Sequence, residues 1–264
     1  MKAIILAAGQ GTRLKSLTAN KPKCLVSLFG KSLLDWQLEA FRKCGITDIS
    51  VVRGYMGELI NKPGIHYFEN PHYATTNMVE TLFCAKETFD DSIIVSYGDI
   101  IFQTDILQKL IDSKHDISVV VDNKWENYWK KRFENLLDDV ESLSYDERGN
   151  ISSIGQKVCD LNEIQSQYIG LIKFQKNVIE KILNHHEKLY TNFSKQDNIT
   201  EFRNLYMTDF LQSLIDSGHV IKPVIIENGW LELDSVKDYE LYNDMNENRT
   251  ISDFIELNNS YNND

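Results

Sequence analysis

Short apolar runs alternate with helix-period segments along the first 122 residues, and that alternation leaves few folds open. Ala3–Ala7 reads as a buried strand. Leu33, Leu34, Gln37, Leu38 and Phe41 form one face of a helix that ends near Gly45, and the strand DISVVRG follows. The pattern continues with HYFEN as a short strand, a helix around Val79–Phe89, the strand SIIVSYGD, a helix around Leu107–Ser113 and the strand DISVVV. Such a chain is expected to build an α/β, Rossmann-like, doubly wound and mostly parallel sheet, with ligands at the carboxyl ends of the strands.

From Asn123 to Asn162 the alternation breaks into the polar aromatic stretch KWENYWKKRFENLLDD and then SLSYDERGNISSIG, two strand-like runs around Asp146–Asn150. The expectation is a small β/helical insertion over the site. The chain returns with SQYIGLIKF as a strand, helices around Val178–Lys188 and Thr208–Asp216, the strand VIKPVIIE, and GWLELDSVKDYELY. No internal repeat or Pro/Gly linker divides it, so one domain over residues 1–245 is expected, followed by a polar tail over 246–264 in which ELNNSYNND frays.

Charge is unevenly placed. The total is −11, yet Met1–Leu34 carries Lys2, Arg13, Lys15, Lys21, Lys23 and Lys31 with no acid, leaving −17 on the remainder. An overall field of that sign repels polyanions, so neither nucleic acid nor an anionic membrane surface is an expected partner. Any phosphate must be held locally, at the basic amino-terminal segment. Four scattered cysteines without a C-x-x-C pair, and no apolar stretch long enough for a leader or a membrane helix, lead to the expectation of a cytoplasmic protein with free thiols.

Gly9-Gln10-Gly11, directly behind the first strand, suggests a loop whose backbone N–H groups can approach an anion. A dinucleotide fingerprint would need a small residue where Leu14 stands and an acid where Arg53 ends the second strand. A Walker loop would need glycine before Lys15-Ser16. Both patterns fail. Four cations without a neighbouring acid still call for a compensating anion.

The ordered string LAAGQGTRL at Leu6–Leu14, with KPK at Lys21–Lys23, resembles the signature of nucleotidyltransferases that join an NTP to a sugar phosphate or a small alkyl phosphate. NPHYATTNMVETL and GWLELDSVKDYELY are similar to the cytidylyltransferase branch, whose acceptors include phosphocholine, 2-aminoethylphosphonate and phosphoglutamine. The resemblance runs from Met1 to about Met245.

This resemblance implies a Mg²⁺-dependent transfer of CMP from CTP to a small phosphorylated or phosphonate acceptor, with pyrophosphate released. It implies Lys23 and Arg13 as catalytic cations. Leu6, Ala7, Ala8, Gly9, Gln10, Gly11, Thr12 and Arg13, with Thr76, Asn77 and Gly98, would hold the nucleotide, and Asp99 and Asp234 the metal. Met78 stands where many relatives carry a second asparagine. Lys157 matches in place a lysine that relatives use on the acceptor phosphate, and Tyr168 is a further acceptor-side candidate. Glu232 would lie on the same side of a strand as Asp234.

Trp125, Tyr128 and Trp129 with Glu126 could wall an ammonium group by cation–π attraction, or their i, i+3, i+4 spacing could pack a helix face on the core. His185-His186 has no third ligand near it in sequence and is not expected to bind metal. A sugar 1-phosphate acceptor and a catalytically silent nucleotide-binding subunit are the competing expectations, and homo-oligomerisation is left open.

Overall fold

The computed structural model describes residues 1–257. In chain order the elements are β1 (Lys2–Ala7), β2 (Ser27–Leu28), β3 (Lys31–Ser32), α1 (Leu33–Lys43), β4 (Ile49–Arg53), β5 (His66–Glu69), α2 (Met78–Phe83), β6 (Ile93–Tyr97), β7 (Ile100–Phe102), α3 (Thr104–Asp112) and β8 (Ile117–Asp122). They continue with α4 (Trp125–Arg132), β9 (Glu141–Tyr145), β10 (Ile151–Lys157), β11 (Gln167–Phe174), α5 (Ile179–Lys195), α6 (Ile199–Arg203), α7 (Met207–Asp216), β12 (Ile221–Ile226), β13 (Trp230–Glu232) and α8 (Val236–Glu247).

The central sheet has seven strands in the order β12-β8-β11-β6-β1-β4-β5. All its pairings are parallel except those of β11, which runs antiparallel to both β6 and β8. The expected mostly parallel, doubly wound architecture is therefore present. Both faces of the sheet are covered, which is why β1 is apolar at nearly every position. Ala3, Ile5 and Ala7 join the core layer shared with α1 and α3, while Ile4 and Leu6 join the layer shared with α2, α5 and α7.

The segment after Asp122 divides into two parts with different roles. Helix α4 packs against α8 and buries Trp125, Tyr128 and Trp129 in the same layer as Trp230 and Phe254. Strands β9 and β10 form a separate antiparallel hairpin that rests on α7. His185 shares a hydrogen bond with Ser213 (2.9 Å) and His186 stacks on Phe83, so the histidine pair belongs to the packing between α5 and its neighbours.

The expected boundary at residue 245 requires correction. Helix α8 runs to Glu247, and Ile251, Phe254 and Ile255 are buried beyond it. Spaced i, i+3 and i+4, they pin the segment to the core, and the Gly229 N–H donates to the Phe254 carbonyl. The folded domain thus extends at least to Ile255. Of the stretch ELNNSYNND, residues 258–264 lie outside the described residues.

Candidate functional site

The amino-terminal loop is built around two constraints. Gly11 adopts φ 70°, a left-handed conformation that favours glycine, and a Cβ placed there would lie 2.9 Å from the Lys23 Cβ. Leu14, fully buried, anchors the turn that follows, while the Thr18 hydroxyl donates to the Gly11 carbonyl at 2.9 Å. The loop therefore closes tightly over Lys23. Gly11→Ala is expected to cost roughly 1–2 kcal/mol through backbone strain alone, with more from displacement of Lys23. A urea midpoint equal to that of the parent protein would contradict this.

Lys23 lies just past Pro22, whose extended backbone directs it away from Lys21. Its Nζ donates to Asp99 Oδ2 at 2.8 Å and to Asp234 Oδ1 at 2.9 Å. Burial pulls the ammonium pKa down, but Asp99 and Asp234 more than reverse this and hold it above the usual lysine range. Arg13, mostly exposed, reaches Asp234 Oδ2 at 2.5 Å. Two cations and two carboxylates thus meet at one point.

Two aspartates far apart in sequence converge because β7 and β13 pair antiparallel, with Glu232 opposite Ile100. Asp99 sits in the turn between β6 and β7, and its carbonyl accepts from the Leu233 N–H at 2.9 Å. Gly98, just before it, lies so close to β1 that a Cβ would fall 2.6 Å from the Leu6 carbonyl oxygen. Asp234 occupies the turn into α8, which a Ser235–Asp238 capping box closes. Asp238 accepts from the Asp234 and Ser235 N–H groups at 3.1 and 2.9 Å, and from Arg132 Nε at 2.9 Å. Arg132, fully buried on α4, also binds Glu232 at 2.8 Å.

Leu6, Ala7, Ala8, Gly9, Thr76, Asn77 and Gly98 line one cavity together with Lys23 and Asp99. Gln10, Gly11 and Thr12 lie on the loop outside that lining, and Arg13 stands beside Asp234. Asn77 caps α2 by accepting from the Met78 N–H, and Met78 itself joins the cavity wall. Asn70, not singled out from sequence, is buried and donates to Thr76 Oγ1 and Thr81 Oγ1, each at 3.0 Å. It organises the turn that presents Thr76.

Tyr97 and Met78 also border a second cavity, which holds Lys157 and Tyr168 together with Asp139, Glu141, Tyr206, Thr208 and Glu232. Asp139 and Glu141 are exposed along this cavity, and partial desolvation by the surrounding protein moves both carboxyls above their usual range. Burial raises Glu232 as well; Arg132 opposes the shift, and Asp99 and Asp234 add to it. The Tyr168 hydroxyl is buried without a partner.

Trp125 and Glu126 lie elsewhere, which corrects their expected acceptor role. Trp125 is buried in the core, and Glu126 pairs with Lys130 one turn along α4. The core takes these aromatics because their polar atoms find partners there: Trp129 Nε1 donates to the Asp139 carbonyl at 2.9 Å, and the Tyr128 hydroxyl accepts from the Glu232 N–H at 2.9 Å. The acidic wall comes instead from Asp139, Glu141 and Glu232, residues that sequence spacing did not connect.

Among the described residues no set of three His, Cys, Asp or Glu side chains is gathered to hold a metal. Asp99 and Asp234 are a pair, and Asp99 Oδ1 is a buried oxygen without a hydrogen-bond partner. No helix among the described residues is long and apolar enough to cross a membrane.

Comparison with known proteins agrees with this geometry. The MobA-like NTP transferase domain matches residues 3–167. A CTP:phosphoglutamine cytidylyltransferase of Campylobacter jejuni is 40% identical over 252 residues, covering 91% of this chain and 98% of the relative. A choline-phosphate cytidylyltransferase of Streptococcus pneumoniae is 29% identical over 90% of this chain and 95% of its own length. A solved structure of the CTP:phosphocholine cytidylyltransferase from Streptococcus pneumoniae superposes with a TM-score of 0.71 at 26% identity, covering 92% of this chain and 98% of that one. The chain belongs to the MobA-like NTP transferase family and is a nucleotidyltransferase, with a CTP-dependent cytidylyltransferase among its relatives.

Proposed function

We propose that the protein transfers CMP from CTP to a small amine-bearing phosphate, phosphonate or phosphoramidate, giving a CDP-linked or CMP-linked product and pyrophosphate. The observation that carries this reading is the Lys23–Asp99–Asp234 node, whose Lys23 and Asp99 line a glycine-loop cavity that shares Met78 and Tyr97 with a neighbouring acidic cavity. The choice of CTP is supported by the relative with 40% identity over almost its full length, which is named for CTP and phosphoglutamine.

In the proposed reaction an acceptor phosphoryl oxygen attacks the α-phosphorus, the bond to the bridging α–β oxygen breaks, and pyrophosphate leaves with that electron pair. The acceptor is already largely ionised near neutral pH, since a phosphate monoester has a second pKa of about 6, and no general base is needed. What the chain must supply is alignment and positive charge. In this reading Lys23 would neutralise the α-phosphate and the incoming oxygen, Arg13 would neutralise the departing phosphates, and the loop N–H groups of Gly9–Thr12 would hold the chain of phosphates.

The residues present fit Mg²⁺. Asp99 Oδ1 is an orphaned buried oxygen, Asp234 lies across from it, and the other ligands a small hard cation needs would be phosphate oxygens and water. When bound, the ion would neutralise developing charge on the phosphates.

The acidic cavity supports an ammonium-bearing acceptor. Asp139, Glu141 and Glu232 bring three acidic side chains to one cavity, where a cationic group would meet opposite charge. Lys157, on the same wall, is suited to the acceptor phosphate. Glu141→Gln is expected to raise the KM for the acceptor about tenfold, a loss of roughly 1.4 kcal/mol, with the KM for CTP unchanged. The test of the reading is turnover of phosphocholine, 2-aminoethylphosphonate and phosphoglutamine against neutral alkyl phosphates and sugar 1-phosphates. Turnover confined to one amine-bearing acceptor is expected. Comparable kcat/KM on a neutral phosphate would overturn it.

A further inference from the structure

Helix α1 presents an apolar stripe to the core, and Gln37 interrupts it. The side chain is 1% exposed, in a position where a leucine would match Leu33, Leu34 and Phe41 around it. Burying an amide costs free energy unless its hydrogen bonds are made. Here all the strong ones are made, and they go to one place. Gln37 Nε2 donates to the Tyr97 carbonyl at 2.7 Å and to the Ile100 carbonyl at 2.8 Å, while its Oε1 accepts from the Ser96 hydroxyl at 2.8 Å. Two carbonyl acceptors on one atom identify it as the nitrogen.

Tyr97 and Ile100 are the last residue of β6 and the first of β7, and between them lie only Gly98 and Asp99. Gln37 therefore ties both ends of the turn that carries Asp99. The turn is also held from the opposite side, where the Gly98 N–H donates to the Leu6 carbonyl. The Asp99 side chain has no such restraint of its own, since Oδ2 meets only Lys23 Nζ and Oδ1 has no partner. Its position is set by its backbone.

We infer that Gln37 is a positioning residue for nucleotidyl transfer, fixing the Asp99 turn so that the carboxylate faces Lys23, Asp234 and the bound metal–nucleotide. The inference rests on the reading of Asp99 as a metal ligand. Groups that orient a metal ligand from behind typically cost 10–100-fold in metal affinity or activity when removed.

The test compares three variants of the full chain for Mn²⁺ affinity in the presence of CTP, followed by electron paramagnetic resonance, together with kcat, KM and the thermal midpoint. Gln37→Met keeps the volume and removes both donors. It is expected to weaken Mn²⁺ binding about tenfold or more and to lower kcat by about 10–100-fold, with the acceptor KM within twofold. Ser96→Ala removes the hydrogen bond on the other side of the same amide and leaves both donors in place. It is expected to lower the thermal midpoint comparably but to leave Mn²⁺ affinity and kcat within twofold.

Mn²⁺ affinity and kcat within twofold of the parent in Gln37→Met would overturn the assignment, as would equal losses of both in Ser96→Ala. Should Gln37→Met not fold, Gln37→Glu carries the same expectation, because it keeps the Ser96 bond and sets an oxygen against the two carbonyls. Asp99→Asn is the reference. Unchanged Mn²⁺ binding there would show that the metal reading has failed, whatever the Gln37 variants do.

Discussion

Lys23→Ala is expected to lower kcat/KM by about 10³-fold, at the upper end of what the loss of one charged donor to a developing oxyanion costs. No other described cation reaches both Asp99 and Asp234; Arg13 touches only Asp234 and is largely exposed. The substitution also leaves two partly buried carboxylates facing each other without the ammonium between them, which is unfavourable for like charges at short range. A lower thermal midpoint should follow, and Mg²⁺ should raise that midpoint more in the variant than in the parent because it replaces the missing positive charge. Thermal denaturation with and without Mg²⁺ checks this, alongside initial rates. Retention of more than a tenth of the parent kcat/KM would contradict the role given to Lys23.

Arg132→Met should produce the largest loss of stability. Arg132 is fully buried between Asp238 and Glu232, and its removal strands two carboxylates in the interior at a cost of roughly 3–5 kcal/mol. At about 2–4 °C per kcal/mol for a chain near this size, the thermal midpoint should fall by about 10 °C. The pH dependence gives a sharper check. In the parent, burial pushes the Asp238 carboxyl up, but Arg132 and Ser235 outweigh it and hold its pKa below the ordinary value of 3.8. A carboxyl depressed in the folded state contributes stability that is complete above about pH 4 and lost as the pH falls through its folded value. Without Arg132, burial dominates, the carboxyl rises, and stability declines as the pH climbs above 4. The gap between parent and variant should therefore widen from pH 4 to pH 7. Urea midpoints across that range measure it, and a constant gap would count against the pair.

Why some of this was legible beforehand and some was not follows from the range of the interactions. β1 and its loop are local features: an apolar run, two glycines and cations in order, and the structure brings Gly9, Lys23 and Asp99 to one cavity. Asp99 and Asp234 were recognisable only through motif context, because their meeting depends on two three-residue strands, β7 and β13, whose pairing leaves no periodic signal. The aromatic spacing on α4 admitted both a binding wall and a core face. What decided it was the supply of partners for Trp129 Nε1 and the Tyr128 hydroxyl in the interior. The acidic cavity draws Asp139 and Glu141 from the approach to and start of β9 and Glu232 from β13, a set that only the folded chain assembles. Gln37 did carry a sequence signal, a polar residue on an apolar helix stripe, but its target turn lies some sixty residues away. Ile251, Phe254 and Ile255 carried one too, masked by the asparagine-rich composition around them.

The measurement that tests the account most directly is the rate of pyrophosphate release by the purified protein with Mg²⁺, with CTP, UTP, ATP, GTP and dTTP crossed against the amine-bearing acceptors and several sugar 1-phosphates. The account predicts release with CTP and one amine-bearing acceptor, abolished by chelation of the metal. Release that prefers another nucleotide, or a sugar 1-phosphate, or that persists without a divalent cation, would contradict it.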